Sequence, residues 1–215
     1  MDMRTSIRLY LVNIAGCLLL LTAACKKSNP TTAGQANLTA AEFPLAVGDQ
    51  WVYQVMDFYE NTTDTLTLSV TGMQTLSDGG KNYRCNILEN GALVDSGAYV
   101  VDKDTVSYQG LNPNSYSYFG DFKFQFPFHS GSQWVGLYPE DTVRVISEID
   151  STKILGREYQ HVFSLKRAFA LQGNYSMVQF MVVAPNIGVV NQTVDIFDGG
   201  PSQNQSFALI SYTLE

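Results

Sequence analysis

The chain is predicted to be mostly β, a curved antiparallel sheet or sheets of about eleven short strands arranged as an open barrel or a sandwich. Three observations predict it. From Phe43 onward, apolar and polar residues alternate in short runs rich in Val, Ile, Tyr, Phe and Thr. Clusters of turn-forming residues separate the runs. A segment carrying one of the two tryptophans occurs twice.

The alternating runs fall at 51–58, 65–72, 82–88, 92–101, 104–109, 116–126, 142–149, 158–167, 175–183, 187–196 and 206–213. Period-two alternation puts one face of each strand in a core and the other in water. Ser77-Asp78-Gly79-Gly80, Glu89-Asn90-Gly91, Pro113-Asn114, Pro185-Asn186 and Asp198-Gly199-Gly200-Pro201 supply the turns. Asn90-Gly91 is the firmest hairpin signal, because both residues accept the positive φ of a type I′ turn. Strands this short with connections this close imply mostly antiparallel pairing.

The repeated segment reads FPLAVGDQWV from Phe43 to Val52 and FPFHSGSQWV from Phe126 to Val135, an offset of 83 residues. Downstream, Asp64-Thr65-Leu66 parallels Asp141-Thr142-Val143, and Lys81-Asn82-Tyr83 parallels Arg157-Glu158-Tyr159. Two tandem related halves are expected, 43–125 and 126–215, within one globular unit. In each copy a Gly permits a tight turn, and the Trp then opens a strand with its ring toward the core.

Ahead of this lies a different kind of segment. Arg4 and Arg8 precede an apolar run from Leu9 to Leu21, and small residues follow before Cys25. That is the layout of a signal peptide over residues 1–24, and the run is short for a membrane span, which takes about 20 apolar residues. Leu21-Thr22-Ala23-Ala24-Cys25 resembles the lipobox of bacterial lipoproteins, with Thr22 where that family prefers Leu, Val or Ala. The resemblance implies acylation of Cys25 by palmitate-type chains and anchoring to a lipid bilayer. At about 0.8 kcal/mol per buried CH₂, two or three chains suffice without a helix. Residues 25–42 are polar and small and read as a flexible tether.

Phe43-Pro44-Leu45, Gly48, Trp51 and Tyr53 resemble the FPLxxGxxWxY opening of uncharacterised lipoproteins of the Bacteroidota. The resemblance covers the signal, the tether and a short stretch of the domain, and brings no catalytic residues. It implies a cell-envelope address. Lys26-Lys27 lacks the acidic cluster with which such bacteria send lipoproteins to the surface, so an outer-membrane position facing the periplasm is expected, with the cell surface as the alternative. Asp64-Thr65-Leu66, Asp104-Thr105-Val106, Asp141-Thr142-Val143 and Asp150-Ser151-Thr152 are similar to the O-glycosylation sequon of this group, and Asp-Thr also starts strands well.

Composition excludes several functions. The net charge is −7, and loss of Asp2, Arg4 and Arg8 with the signal leaves −8. Such a chain opposes nucleic acid and anionic head groups. Cys17 leaves with the signal and Cys25 is the lipid site, so Cys85 has no partner for an intramolecular disulfide. His129 and His161 are the only histidines, no zinc-ligand spacing exists, and no G-x-S-x-G elbow occurs. The acidic pairs Asp102 with Asp104, Glu140 with Asp141, and Glu148 with Asp150 flank strand ends, where carboxylates are usually solvated. Asp195 and Asp198 match no calcium loop. No cofactor, no metal site and no enzymatic activity are expected.

One strand stands out. Tyr116, Tyr118, Phe122, Phe124, Phe126 and Phe128 occupy even positions and share one face of an extended chain. That wall either packs the core or lines a groove, and Tyr116, Tyr118, Phe122 and Phe124 are its candidate ligand-binding residues. The expected role is non-enzymatic binding of a small apolar or glycan ligand, or of an envelope protein. A structural or accessory subunit of an outer-membrane assembly is the alternative, and a hydrolase built on scattered carboxylates the third reading.

Overall fold

The computed structural model describes residues 38–111, 121–170, 176–197 and 203–215. Ala36–Glu215 forms one compact unit. Its strands are β1 (Gln50–Asp57), β2 (Thr62–Thr75), β3 (Lys81–Glu89), β4 (Ala92–Asp102), β5 (Thr105–Gly110), β6 (Phe122–Gln125), β7 (Gln133–Val135), β8 (Thr142–Ile154), β9 (Arg157–Ala170), β10 (Ser176–Ala184), β11 (Gly188–Phe197) and β12 (Gln203–Thr213). A 3₁₀ turn, Ala40–Glu42, precedes them, and no α-helix occurs among the described residues.

All twelve strands belong to one sheet, in the order β6-β5-β4-β3-β2-β1-β12-β11-β10-β9-β8-β7. Each strand pairs antiparallel with its sequence neighbour, except that β1 pairs with β12 and β6 does not pair with β7. The result is a nearly closed barrel whose two edges follow each other in the chain. β1 to β6 fall in residues 43–125 and β7 to β12 in 126–215.

The predicted fold class holds, with twelve strands rather than eleven. β7 escapes the alternation because three residues contain one inward side chain, Trp134, too few for a period. The Asn90-Gly91 turn has φ of 48° and 84°, as type I′ requires. A second turn of this kind sits at Leu155-Gly156, with φ of 49° and 82°.

The two repeat segments adopt the same backbone pattern. Gly48 N–H donates to the Val70 carbonyl (3.0 Å), and Val70 N–H donates back to Asp49 (2.9 Å). Gly131, Val145 and Ser132 make the same two bonds, both 2.9 Å. Trp51 stands opposite Leu68 and Trp134 opposite Val143, and each partner strand then bulges, past Val70 and past Val145. The ladder therefore aligns Leu68 with Val143, two residues away from the downstream parallel drawn on sequence.

Side chains close what the ladder leaves open. The Trp134 indole N–H donates to the Lys123 carbonyl of β6 (2.7 Å), a bond from one sheet edge to the other. Behind it runs an aromatic stack in which Phe122 and Phe124 lie 4.4 Å apart, Phe126 and Phe128 4.5 Å, and Phe128 and Trp134 5.5 Å. Burying each ring contributes about 1.5–3 kcal/mol, and offset or edge contacts add more.

The barrel ends differ. At the near end the chain enters through Leu38, which bridges Phe128, and crosses beneath the barrel to Phe43, whose ring packs on Tyr99, Phe124 and Phe126. Asn186 N–H holds this crossing through the Glu42 carbonyl (2.7 Å). Both Leu38 and Phe43 are buried, so this segment plugs the near end. At the far end lie the connections β1–β2, β3–β4, β5–β6, β7–β8, β9–β10 and β11–β12.

Candidate functional site: the far rim of the barrel

The far rim is held by a buried ionic knot. Strand alternation points Arg167 of β9 inward, beside Val143 of β8 and Gln179 of β10. Its Nε donates to Asp141 at 2.8 Å to Oδ1 and 2.9 Å to Oδ2, and Nη1 donates to the Asp121 carbonyl and to Gln179 Oε1 (3.3 Å). Asp141 also accepts Leu137 N–H (3.1 Å), and Asp121 accepts Gly110 N–H (2.8 Å) and the Tyr138 hydroxyl (3.3 Å). The knot ties the β7–β8 connection to the start of β6 and the end of β5. A buried pair like this adds little net stability over an apolar replacement, but it fixes geometry. Partial burial, and then the Asp121 carboxylate, raise the Tyr138 phenol above its ordinary range.

A second set of bonds shapes the opposite side of the rim. Asp57 accepts the N–H groups of Tyr59 and Glu60 (both 2.9 Å) and Gln205 Nε2 (2.9 Å). Burial works against its ionisation, but these bonds outweigh it and hold the carboxyl below its ordinary range. Asn90 donates to Asp64 (2.8 Å) and accepts Thr65 N–H (3.0 Å), fastening the β3–β4 turn to β2.

Rigid tips then present apolar side chains to water. Phe58, Tyr59, Leu93, Leu111, Tyr138 and Phe197 lie in or beside five of the six far connections, and their exposure runs from 41 to 64%. Four of the six exposed aromatic rings among the described residues are here, and the others, Phe180 and Tyr212, are not. Scattered surface apolar residues need no explanation, but a ring of them at one end does. Among the described residues, the far connections at 58–61, 90–91 and 136–141 carry Glu60, Glu140 and Asp141, with Asp121 beside them, and Lys123 and Arg144 stand near the same end at the starts of β6 and β8.

Asp95 adds an inward carboxylate at this end of β4. It stands opposite Ile87 and is 7% exposed. Oδ1 accepts Ser96 N–H (2.7 Å), whereas Oδ2 has no hydrogen-bond partner. Among the described residues, no group of three or more His, Cys, Asp or Glu side chains is placed to hold a metal ion.

Of the residues singled out on sequence, Cys25, Tyr116 and Tyr118 lie outside the described residues. Phe122 and Phe124 are fully buried in the aromatic stack. A cleft of about 620 Å³ exists at the near end, lined by Phe43, Tyr83, Val101, Lys81 and Lys103, and neither Phe122 nor Phe124 reaches it. Asp141, expected to be solvated beside Glu140, is instead fully buried on Arg167, because Gly136 leaves room for it. The third sequon therefore differs from the others at its first residue: Asp64, Asp104 and Asp150 are partly or fully exposed, while Asp141, which precedes Thr142, is enclosed.

No family model matches the chain, and no curated protein matches it in sequence. Among solved structures it is similar to a Bacteroides fragilis protein put forward as exported, with a YmcC-like fold, at 10% identity and a TM-score of 0.51. That match covers 82% of this chain and 99% of the other. A protein of Parabacteroides distasonis put forward as a lipoprotein matches at 10% identity and a TM-score of 0.45, over 82% and 99%. The first likeness defines the fold class: this chain shares its fold with the Bacteroides fragilis protein.

Proposed function

We propose that the chain is a non-enzymatic lipoprotein of the bacterial envelope, held to a bilayer through acylated Cys25, whose far rim docks a partner protein. The observation that carries this reading is the ring of exposed Phe58, Tyr59, Leu93, Leu111, Tyr138 and Phe197 on hydrogen-bonded loop tips. Interfaces draw their affinity from rigid aromatic anchors that lose little entropy on binding.

Position supports it. Leu38 enters at the near end, and twelve residues lie between it and Cys25, a reach of at most about 45 Å. Attachment through the near end leaves the far rim free for a partner to meet. The description of the Bacteroides fragilis relative as exported agrees with an extracytoplasmic address. The shared turn geometry of the two tryptophan segments supports reading the halves as copies of one six-stranded unit.

The test is native electrophoresis of gently solubilised envelopes. The wild-type chain is expected in a band larger than its monomer. The variant Phe58→Ser, Tyr59→Ser, Phe197→Ser, with an unchanged circular dichroism spectrum, is expected to run as the monomer. An unchanged larger band in that variant would remove the rim from the interaction.

A further inference from the structure

We infer that the near-end cleft binds a short neutral saccharide, whose hydroxyl groups sit among lysines and carboxylates over an apolar floor. This site is separate from the far rim and independent of it. Three observations carry it.

The first is that the cleft is built from fixed parts. Residues 43–46, the β2–β3 turn, the β4–β5 turn and the chain after β12 meet there. Asp49, 1% exposed, ties two of these together by accepting the N–H groups of Ala46 (2.6 Å) and Glu215 (2.9 Å). Asp78 Oδ1 accepts Gly80 N–H (3.0 Å) and sets the β2–β3 turn. The volume of about 620 Å³ lies inside the range of ligand pockets, about 300–1,000 Å³. Walls held in this way need little ordering when a ligand arrives.

The second is Tyr83. Strand alternation puts Lys81 and Tyr83 on one face of β3, and Lys81 stands opposite Val101 of β4, so all three share one wall of the cleft. Tyr83 is 8% exposed, yet its hydroxyl makes no hydrogen bond with any described residue. The buried phenols of Tyr53 and Tyr159 both donate to backbone carbonyls, of Val189 and Leu209. A buried hydroxyl is costly without a partner, and in this cleft the partner is a ligand or the water that a ligand displaces.

The third is the mixture of charges. Among the described residues the one ion pair is Arg167 with Asp141, so the ammonium groups of Lys81 and Lys103 are unpaired. Asp78, Asp102 and Glu215 border the same cleft. A ligand of either net charge meets repulsion there as well as attraction. A hydroxyl both donates and accepts, and so suits an ammonium and a carboxylate alike. A saccharide carries several hydroxyls beside an apolar C–H face, and Pro44, Leu45, Val101 and Leu214 offer that face an apolar floor. A bare acyl chain would leave the lysines and carboxylates without partners.

The experiment is titration calorimetry on the full chain, solubilised from membranes in a detergent without a sugar head group. The neutral probes are cellotriose, maltotriose and tri-N-acetylchitotriose. Trigalacturonate supplies an anionic trisaccharide, chitotriose a cationic one, and decanoate an acyl chain. At least one neutral probe is expected to bind at millimolar concentration, more tightly than the charged probes and with little dependence on salt. Lys81→Met and Tyr83→Phe should each weaken it about three- to tenfold, with an unchanged circular dichroism spectrum. Lys166→Met, which removes an exposed lysine from the outer face of β9, should leave it unchanged.

If no neutral probe binds, the inference falls. It falls equally if trigalacturonate, chitotriose or decanoate binds more tightly than every neutral probe, because the cleft then selects charge or chain length. If a neutral probe binds and neither Lys81→Met nor Tyr83→Phe weakens it, the sugar sits elsewhere and the cleft is not its site.

Discussion

Arg167 Nε lies 2.8 Å from Oδ1 and 2.9 Å from Oδ2 of Asp141, with both side chains sealed inside the sheet. Removing one partner leaves the other charge buried and unpaired. Arg167→Met is therefore expected to cost about 3–5 kcal/mol in denaturant unfolding, and adding Asp141→Leu should restore part of the loss. A Cβ at Gly136 would lie 2.0 Å from Asp141 Oδ2, so Gly136→Ala should also destabilise, and Tyr138 resonances should move in each of these variants.

Phe122 and Phe124 stack at 4.4 Å and are fully buried, so their first role is packing. Phe124→Ala should cost about 3–5 kcal/mol by urea titration, with Phe122→Ala close behind. A loss under 1 kcal/mol at both positions would mean that the stack does not close the barrel.

Burial pushes the Cys85 thiol up to about 12 from an ordinary 9.0. A thiol reagent at pH 8 should leave the folded domain unmodified and react with one thiol per chain once urea unfolds it. Fast labelling of the native domain would place Cys85 at the surface.

Burial also holds the Tyr53 and Tyr99 phenols well above the ordinary 10.0. In the unfolded chain they release protons near pH 10, while the folded chain keeps them. The unfolded state then binds fewer protons, so the stability present below pH 10 is lost as pH rises through and beyond it. The expected slope is about 1.4 kcal/mol per pH unit for each tyrosine, readable as a falling urea midpoint between pH 10 and 11. Tyr53→Phe should flatten part of that slope.

Anchoring is tested at Cys25. Growth with labelled palmitate should mark the wild-type chain, and Cys25→Ser should carry no label and leave the membrane pellet on washing. Equal labelling of the variant would move the acylation elsewhere.

Much of the barrel was legible in the sequence because one of its faces is buried. Strands such as Trp51, Tyr53 and Val55 of β1, or Leu66, Leu68 and Val70 of β2, alternate strictly enough to be read without partners. β7 was not, since it carries a single inward ring, and the outer half of β8 was not, because Asp150, Ser151 and Lys153 face water. The Arg167–Asp141 pair was hidden for another reason: each residue sat beside a second charge of its own sign, Lys166 or Glu140, and read as surface. The rim was the least legible feature. Its members lie from Phe58 to Phe197 at turn positions, where single apolar residues carry no period, and only the closing of β1 on β12 brings them to one end.

The central claim is that the far rim, and not the near end, meets a partner. A photo-cross-linking amino acid placed at Tyr59, and in a second strain at Leu155 of the near end, tests it in living cells. A discrete cross-linked protein from Tyr59, absent from Leu155, is the predicted result. An adduct from Leu155 with none from Tyr59 would contradict it.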